Sequence, residues 1–229
     1  MIGGRTAYDL ATKIKSKQFP GWCDPLLQNS SIGDSMLELG SGTGELSAIL
    51  GIYGRIPLLL DFSEESIDYA KALFKELRIE GHFYCEDILA GMSLKTNSVH
   101  WVWSSGLLEH FSDDKVVDIL KESARVCIKG VMGLVPNANS IFYRIGKFKM
   151  EQEGTWAYGK EMPKFTMKNY FNVAGLKNIK EYSVAPYHSI KFWGQAEKDI
   201  KIFYDSLSSE ELEKLNQGYL LFTYGEKNN

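Results

Sequence analysis

Short apolar runs alternate along this chain with segments in which apolar residues recur every three or four positions. Apolar runs bounded by turn residues are typical of buried strands, and the wider spacing is typical of amphipathic helices. From residue 35 onward the pattern predicts strands at 35–39, 56–60, 82–85, 99–103 and 128–135, the last broken by Gly130 and Gly133. Helices are predicted after three of these strands, at about 44–53, 64–77 and 113–126. Because strands that alternate with helices pair in parallel through right-handed crossovers, we expect a doubly wound α/β sheet.

The two ends of the chain depart from this alternation. Apolar residues at helical spacing predict a helical lead-in over residues 4–30 that contains no strand. Residues 138–165 form a long segment rich in aromatic residues and lysine. After it, the pattern predicts a helix at 167–174, a sixth strand at 179–184, a helix over roughly 195–216 and a last strand at 219–224.

Composition narrows the class of protein. The 229 residues are 44% hydrophobic and 24% charged, with a net charge of -3, which is typical of a globular protein. No cluster of lysine and arginine stands out, so we expect no nucleic acid partner. Met1–Arg5 leads into no apolar signal region and the apolar runs are short, so we expect a cytoplasmic protein without membrane association. Three scattered cysteines, odd in number and without metal-ligand spacing, predict no metal site.

The most informative stretch follows the first predicted strand. It reads Glu38-Leu39-Gly40-Ser41-Gly42-Thr43-Gly44, with glycine at every second position and a helical pattern directly after it. Glycine permits sharp turns and close approach of a ligand to the backbone. The amides that open the next helix attract negative charge. A strand, a ligand-binding turn and a helix are therefore predicted, although an ordinary strand-to-helix turn would carry the same glycines.

The glycine spacing bears on the ligand. The dinucleotide fingerprint needs a third glycine three positions after the second, and Glu45 stands at that position. A pyrophosphate would meet a carboxylate there. The sequence therefore disfavours a nicotinamide-dependent oxidoreductase, which is kept as the weaker alternative.

With the acids that follow later strands, the pattern resembles motif I of the class I S-adenosylmethionine-dependent methyltransferases, small-molecule type. The resemblance covers about residues 35–137 by motif. It implies a Rossmann-like sheet of seven strands, mostly parallel with an antiparallel last strand and helices on both faces. It also implies S-adenosylmethionine as cofactor and a single domain over 1–229. Its parts would be a helical lead-in or lid (1–34), a cofactor-binding half (35–137), a substrate-side insertion (138–165), and the last two strands with their helices (166–229).

The resemblance also assigns cofactor contacts. Asp61, at the end of the second strand, would accept hydrogen bonds from the ribose hydroxyls, and Asp87, at the end of the third, would bind the adenine amine beside Ile88. Isolated acids at such positions are often only turn residues or helix caps. The set implied to hold the cofactor is Glu38, Gly40, Ser41, Gly42, Gly44, Asp61, Phe62, Ser63, Asp87, Ile88, Ser104, Ser105 and Gly106.

The reaction expected from this resemblance is methyl transfer to a nitrogen, oxygen or sulfur atom of a small molecule by in-line displacement. Alignment of the reacting atoms provides much of the acceleration, and a general base helps if the acceptor is protonated. His110 is the first candidate for a catalytic base and His188 the second, because imidazole titrates near neutral pH. Each could instead be structural. Glu109 is interpreted as a helix-turn acid or a cofactor neighbour.

The acceptor site is expected to come from the lead-in and from the 138–165 insertion, since long insertions at a ligand-binding edge are often functional. Their aromatic side chains could surround a ring or a cationic amine, or could merely pack on the sheet. The candidates are Tyr8, Trp22, Tyr143, Arg144, Trp156, Tyr158 and Glu161. Nothing in the cofactor motifs excludes a catalytically inert S-adenosylmethionine-binding protein.

Overall fold

A seven-stranded sheet forms the centre of the computed structural model, which describes residues 6–191 and 197–228. The strands are β1 (Ser35–Leu39), β2 (Ile56–Asp61), β3 (His82–Cys85), β4 (Val99–Ser105), β5 (Cys127–Pro136), β6 (Lys177–Val184) and β7 (Leu220–Glu226). Their order across the sheet is β3-β2-β1-β4-β5-β7-β6. The first five strands pair in parallel, and β7 runs antiparallel to both β5 and β6. The predicted fold class, including the antiparallel last strand, is confirmed.

Helices cover both faces of this sheet. They are α1 (Ala7–Lys15), α2 (Asp24–Gln28), α3 (Glu45–Ile52), α4 (Glu64–Leu77), α5 (Asp113–Val126), α6 (Ile141–Gln152), α7 (Lys168–Val173), α8 (Pro186–Ile190), α9 (Glu197–Asp205) and α10 (Ser209–Leu215). Successive strand residues enter opposite cores: Met36 belongs to the core that contains α1, α3 and α4, and Leu37 to the core that contains α5 and α7. This alternation is the period of two that a strand imposes on its side chains.

The helix predicted over 195–216 is wrong as a single element. Two helices, α9 and α10, occupy the described part of this range, and residues 195 and 196 lie outside the described residues. The break has a local cause at Ser208. Its hydroxyl accepts a hydrogen bond from the Glu211 backbone amide at 3.3 Å, and the Glu211 carboxylate accepts one from the Ser208 amide at 2.8 Å. This reciprocal pair is a capping box, which starts a new helix.

The predicted break in the fifth strand is also wrong, because β5 runs without interruption through Gly130 and Gly133. Gly130 has a packing role instead. A Cβ atom at this position would lie 2.3 Å from the Gly225 carbonyl oxygen and 2.8 Å from the Trp101 ring. The glycine therefore lets β7 approach β5 closely.

The ends of the chain are more helical than the sequence pattern indicated. The lead-in is helical as predicted, with no strand in its described residues, 6–30. The 138–165 segment contains α6, which the pattern did not predict, and His188 lies in the short helix α8 and not in a loop. No helix in the described ranges is long and apolar enough to cross a membrane.

Candidate active site

The three glycines after β1 adopt left-handed backbone angles but have different surroundings. Their φ angles are 64° at Gly40, 51° at Gly42 and 70° at Gly44, a region that side chains disfavour. A Cβ at Gly44 would lie 2.8 Å from Leu59 Cδ2, whereas a Cβ at Gly42 would have no atom within 4 Å. Gly44 therefore allows packing of the turn on the sheet. Gly42 leaves open space above the backbone, which a ligand can fill.

Asp61 fixes the position of this turn. Its carboxylate, 6% exposed, accepts the Gly42 backbone amide at 2.9 Å and the Ser63 amide at 2.9 Å. Ser63 in turn caps α4, since its hydroxyl accepts the Ser66 amide at 3.2 Å. A carboxylate offers about four acceptor positions. Asp61 therefore holds the glycine turn against the end of β2 and retains positions for a ligand's hydroxyl groups.

Glu38 and Ser41 lie beneath and within the turn. The Glu38 side chain is buried and accepts the Ser47 hydroxyl at 2.6 Å, so its carboxyl group is anchored to α3. Burial raises the pKa of Glu38 to about 8. The Ser41 hydroxyl is buried and has no hydrogen-bond partner in the described ranges. An unpaired buried hydroxyl is costly, so Ser41 is suited to contact a polar ligand on the turn.

A first cavity, of about 270 Å³, lies where β1, β2 and β3 end. The Asp87 carboxylate lies at this cavity and accepts the Leu89 amide at 2.9 Å through Oδ1, as the cap of a short 3-10 helix. Phe62 is 79% exposed beside it. The cavity brings together the residues predicted from three separate motifs. Its lining includes Gly40, Asp61, Phe62, Asp87, Ile88, Leu107 and Phe111.

The segment after β4 separates this cavity from a second one. Ser104 is buried at the end of β4, and Gly106 has a φ of 70° with its amide bonded to the Leu134 carbonyl at 2.9 Å. Leu107 lines the first cavity, whereas Glu109 lines the second. A Cβ at Gly106 would lie 3.6 Å from Glu109 Oε1. The carboxyl group of Glu109 therefore lies beside the turn at the end of β4.

The second cavity has a volume of about 440 Å³ and is formed largely by the 138–165 insertion. Three of the predicted substrate residues lie here: Tyr143, Arg144 and Glu161. The buried Tyr143 hydroxyl donates a hydrogen bond to the Glu161 carboxylate. Desolvation and this bond raise the pKa of Tyr143 well above its ordinary value. The insertion thus brings this polar pair, together with Arg144 and Lys147, to a cavity that Phe148, Met162 and Pro163 also line.

The sequence analysis assigned Glu109 no role beyond that of a helix-turn acid or a cofactor neighbour. Glu109 is 3% exposed, and its Oε2 atom has no hydrogen-bond partner among the described residues. Burial, with the nearby Glu161 charge as a further cause, raises the pKa of Glu109 to about 8. Its position shortly after the cofactor candidates Ser104, Ser105 and Gly106 was the available signal, but its burial could not be predicted from the sequence alone.

The two predicted catalytic histidines lie at the borders of this region. His110 lines neither cavity. Its Nδ1 contacts the Lys160 carbonyl oxygen at 2.9 Å, and its Nε2 lies 3.9 Å from Glu109 Oε1. His188 lines a third cavity, of about 420 Å³, together with Trp22. Burial lowers the pKa of His188 to about 4, so its ring is neutral at pH 7.

An aromatic row joins the lead-in to the insertion through Tyr219, which the sequence interpretation treated only as a strand residue. The Tyr219 ring centroid lies 4.6 Å from that of His188, 6.2 Å from Trp22 and 5.4 Å from Tyr143. The row continues from Tyr143 to Trp156 at 6.3 Å. The two chain segments expected to form the acceptor site therefore both contact Tyr219.

Three predicted substrate residues line none of these cavities: Tyr8, Trp156 and Tyr158. Tyr158 is 62% exposed and packs on Trp156 with ring centroids 5.1 Å apart. Tyr8 is 65% exposed on α1 and lines none of the three cavities. Neither Tyr8 nor Tyr158 is positioned to contact a ligand inside these cavities.

Part of the chain matches a known protein family. Residues 36–130 match a family model described as a methyltransferase domain. This range covers β1 to β4 and the start of β5, and therefore includes the glycine turn, the first cavity and Glu109. A search of curated protein sequences finds none that matches the chain.

Solved structures share the fold at low sequence identity. A Thermotoga maritima S-adenosylmethionine-dependent methyltransferase has 15% identity and a TM-score of 0.64, covering 97% of this chain and 100% of its own. Haemonchus contortus phosphoethanolamine N-methyltransferase 2, solved with S-adenosylmethionine, has 17% identity and a TM-score of 0.60, covering 91% and 52%. Magnesium protoporphyrin IX methyltransferase from Synechocystis, solved with S-adenosylhomocysteine, has 12% identity and a TM-score of 0.59, covering 96% and 84%.

Proposed function

We propose that this chain, whose residues 36–130 match a methyltransferase domain, is a class I S-adenosylmethionine-dependent methyltransferase. The proposal is that the enzyme methylates a nitrogen, oxygen or sulfur atom of a small molecule. The cofactor would occupy the first cavity and the glycine turn, and the acceptor would occupy the second cavity. The segment 104–111, which lines both, would be the place where the two reactants meet.

The residues around the turn suit the cofactor chemically. S-adenosylmethionine has an amino acid end, a ribose and an adenine, and it supplies a methyl group on a sulfonium sulfur. The open space over Gly42 and the unpaired Ser41 hydroxyl would receive its amino acid end. Asp61 would accept from the ribose, and Asp87 with Ile88 would bind the adenine at the far wall of the cavity. Carboxylates are strong acceptors for such hydroxyl and amine donors.

Methyl transfer depends mainly on the alignment of the reacting atoms. A methyl transfer in line needs the acceptor atom, the methyl carbon and the sulfur held on one axis with water excluded, and this orientation can account for much of the rate. The second cavity has apolar walls from Phe148 and Met162, which would exclude water. Gly106, without a side chain, would leave room for the approach of the acceptor to the methyl group.

One observation carries the cofactor proposal: the glycine turn and the acids that end β2 and β3 line one cavity. Calorimetric titration with S-adenosylmethionine, S-adenosylhomocysteine and NAD tests it directly. We expect the first two ligands to bind and NAD not to bind. Binding of NAD alone would contradict the proposal.

An enzyme differs from an inert binding protein by turnover. We expect methyl transfer to some members of a panel of amines, phenols, carboxylates and thiols, measured as formation of S-adenosylhomocysteine. Cofactor binding without transfer to any class would favour the inert alternative. The matched control is the Gly42→Ala variant, in which the added methyl group lies in the cofactor space and transfer should fall.

The prediction that His110 acts as a base has a separate test. If His110 removes or relays a proton, His110→Ala should lower kcat at least about tenfold near pH 7, within the range of general base catalysis. The KM for the cofactor should stay constant, because His110 does not line the first cavity. An unchanged pH profile in this variant would assign His110 a structural role, through its contact with the Lys160 carbonyl.

A further inference from the structure

The carboxyl group of Glu109 is the feature of the second cavity that the proposed function does not use. It is 3% exposed, lies at the cavity wall, and has one oxygen, Oε2, without a hydrogen-bond partner in the described chain. Buried acceptors of this kind are rare in folded proteins, because the lost hydration is not replaced. A ligand that brings a donor, above all a positively charged donor, would remove this cost.

We propose that the acceptor is a small amine with an apolar body, and that Glu109 binds its ammonium group and receives its proton. The inference rests on the proposed function, since it names the acceptor class of the same site. The apolar body would lie against Phe148, Met162 and Pro163, which line the same cavity. The amine would lie beside Gly106, because Glu109 Oε1 is 3.6 Å from the position of a Cβ there.

The positive charges of the cavity do not compete for Glu109. Lys147 forms an ion pair with Glu151 and lies 4.0 Å from the Glu161 carboxylate, and its ammonium group stands 4.8 Å from the centre of the Trp156 ring. The exposed Arg144 guanidinium stands 5.9 Å from the centre of the Phe165 ring, and its Nη1 is 3.5 Å from the Ala138 carbonyl oxygen.

Glu161 is also occupied, by the hydroxyl of Tyr143. A bound anion would therefore find Lys147 already in an ion pair and Glu109 beside it, and only the exposed Arg144 without an ion pair among the described residues. A bound cation would find a buried carboxyl oxygen without a partner. Because an unpaired buried charge is costly, this distribution favours a cationic ligand over an anionic one.

The chemical step balances with these groups alone. The ammonium gives one proton to the Glu109 carboxylate, which exposes the nitrogen lone pair. That lone pair forms the bond to the methyl carbon, and the carbon–sulfur bond breaks with its electron pair left on sulfur. The product amine carries the positive charge that the sulfonium carried before. Glu109 then releases its proton to solvent, with His110 Nε2 3.9 Å away as the first group outside the cavity lining.

The surroundings of Glu109 agree with a group that gains and loses a proton near neutral pH. Burial raises the pKa of Glu109 to about 8, so protonation during the step is favoured by the site itself. The titratable and charged groups that face this carboxyl or interact with it are His110, Tyr143, Glu161, Lys164 and Tyr219. The Lys164 charge lowers the pKa of Glu109 but does not offset the effect of burial, and Lys164 is also paired with Asp113 at 2.7 Å.

Binding of three matched probes tests the inference without turnover. The probes 2-phenylethylamine, 2-phenylethanol and 3-phenylpropanoate share a phenyl ring and differ in the end group, and each is titrated into protein saturated with S-adenosylhomocysteine. We expect the amine to bind at least about tenfold more tightly than the alcohol, as for a charge-assisted hydrogen bond in a closed site. The carboxylate should bind most weakly.

Variants assign this preference to one residue. Glu109→Gln should abolish the advantage of the amine over the alcohol and leave S-adenosylhomocysteine affinity within about twofold, since Glu109 lies outside the first cavity. Glu210→Gln removes an acid that is exposed on α10, and it should keep the full preference. With S-adenosylmethionine, amine methylation in wild type should rise with pH through about pH 8, and this rise should be lost in Glu109→Gln.

The outcomes separate the two proposals. If wild type binds no S-adenosylhomocysteine, the proposed function fails. If it binds the cofactor product but the alcohol or carboxylate binds as well as the amine, or none of the probes binds, only the amine inference is overturned. Retention of the amine preference in Glu109→Gln would also overturn it. Should that variant not fold, the wild-type comparison of the three probes still decides.

Discussion

Two glutamic acids are almost completely buried near the proposed site. Glu38 lies in β1, just before the glycine turn, and Glu109 lies in the segment that follows β4. Both have a pKa raised to about 8, with desolvation as the main cause. Their partners differ. Glu38 accepts the Ser47 hydroxyl and has a structural anchor, whereas one oxygen of Glu109 has no partner among the described residues. The difference in hydrogen bonding, and not in pKa, separates an acid that stabilises the turn from one available to a ligand.

The raised pKa of Glu38 predicts how stability depends on pH. The folded state binds a proton that the unfolded state has already released above about pH 4.5, so stability falls as pH rises towards about 8. Below about pH 4.5 both states are protonated and the contribution is complete. Glu38→Gln keeps a hydrogen-bond acceptor for Ser47 but cannot ionise. We expect the variant to lose less stability than wild type between about pH 5 and 8, by on the order of a few kcal/mol.

Urea unfolding at several pH values measures this effect. Some pH dependence should remain in Glu38→Gln, because Glu109 still titrates in the same range. Glu210→Gln, the exposed control, should match wild type at every pH. If the Glu38→Gln curve is parallel to that of wild type, Glu38 does not change its protonation state on folding.

The glycines of the turn predict different effects of a single methyl group. Gly44→Ala would place Cβ 2.8 Å from Leu59 and 3.0 Å from Ala70, so we expect a loss of roughly 2–4 kcal/mol of stability, as in overpacked cores with added backbone strain. Gly42→Ala meets no atom within 4 Å and should cost only about 1–2 kcal/mol from its positive φ. Its main effect should be weaker cofactor binding.

Thermal unfolding and calorimetric titration with S-adenosylhomocysteine separate these effects. Gly44→Ala should have the lower Tm. Gly42→Ala should have the larger loss of S-adenosylhomocysteine affinity relative to its loss of stability. Full cofactor affinity in Gly42→Ala would mean that the open space above this residue is not part of the cofactor site.

The strands show how elements depend on one another across the sheet. β7 comes last in the chain but lies between β5 and β6, so β6 is attached to the sheet only through β7. The close approach of β7 to β5 depends on Gly130, where any side chain would meet the Gly225 backbone. Tyr219, directly before this strand, lies between aromatic groups of the lead-in and of the insertion.

Substitution within β5 tests this dependence. Gly130→Ala would place Cβ 2.3 Å from a backbone oxygen, which cannot move without displacing β7, so we expect a loss above about 3 kcal/mol or failure to fold. Gly133→Ala in the same strand would make only ordinary contacts, at 3.5 Å from Phe171, and should change stability by less than about 1 kcal/mol. Equal stability of the two variants, measured by chemical unfolding, would contradict the packing role of Gly130.

The molecule as a whole is built around two cores that each combine distant parts of the chain. One core contains Leu10 of α1 and Phe222 of β7, and the other contains Leu37 of β1 and Leu221 of β7. Neither half of the sequence can therefore complete a core alone. The single domain expected over the whole chain stays a prediction, which the family match over residues 36–130 does not address.

A single domain predicts one cooperative unfolding transition. Scanning calorimetry of the full chain should give one peak, and saturating S-adenosylhomocysteine should move the whole peak to higher temperature, because a ligand that binds only the folded state stabilises every part coupled to its site. Two peaks, of which only one responds to the ligand, would show that residues 138–228 unfold separately from the cofactor half.

Much of this protein follows from sequence pattern alone. The five strands of the cofactor half, the helices between them and the residues that converge at the first cavity were predictable, since local periodicity reports secondary structure and parallel strands end at one edge. The Ser63 cap of α4 was predictable for the same local reason. The roles of the individual cofactor residues remain predictions, which the titrations above address.

Tertiary structure decided what local pattern could not. Whether an acid is buried, paired or free depends on segments far apart in the chain: Glu109 acquires its surroundings from residues 138–165, and Tyr219 from α8, the lead-in and α6. The continuity of β5 depends on the distant β7, so Gly130 looked like a strand break when it is a point of close contact. The strands and helices of residues 35–137 follow from local sequence patterns and could therefore be predicted. The second cavity is assembled from separate segments, and only their packing shows that one oxygen of Glu109 has no hydrogen-bond partner among the described residues.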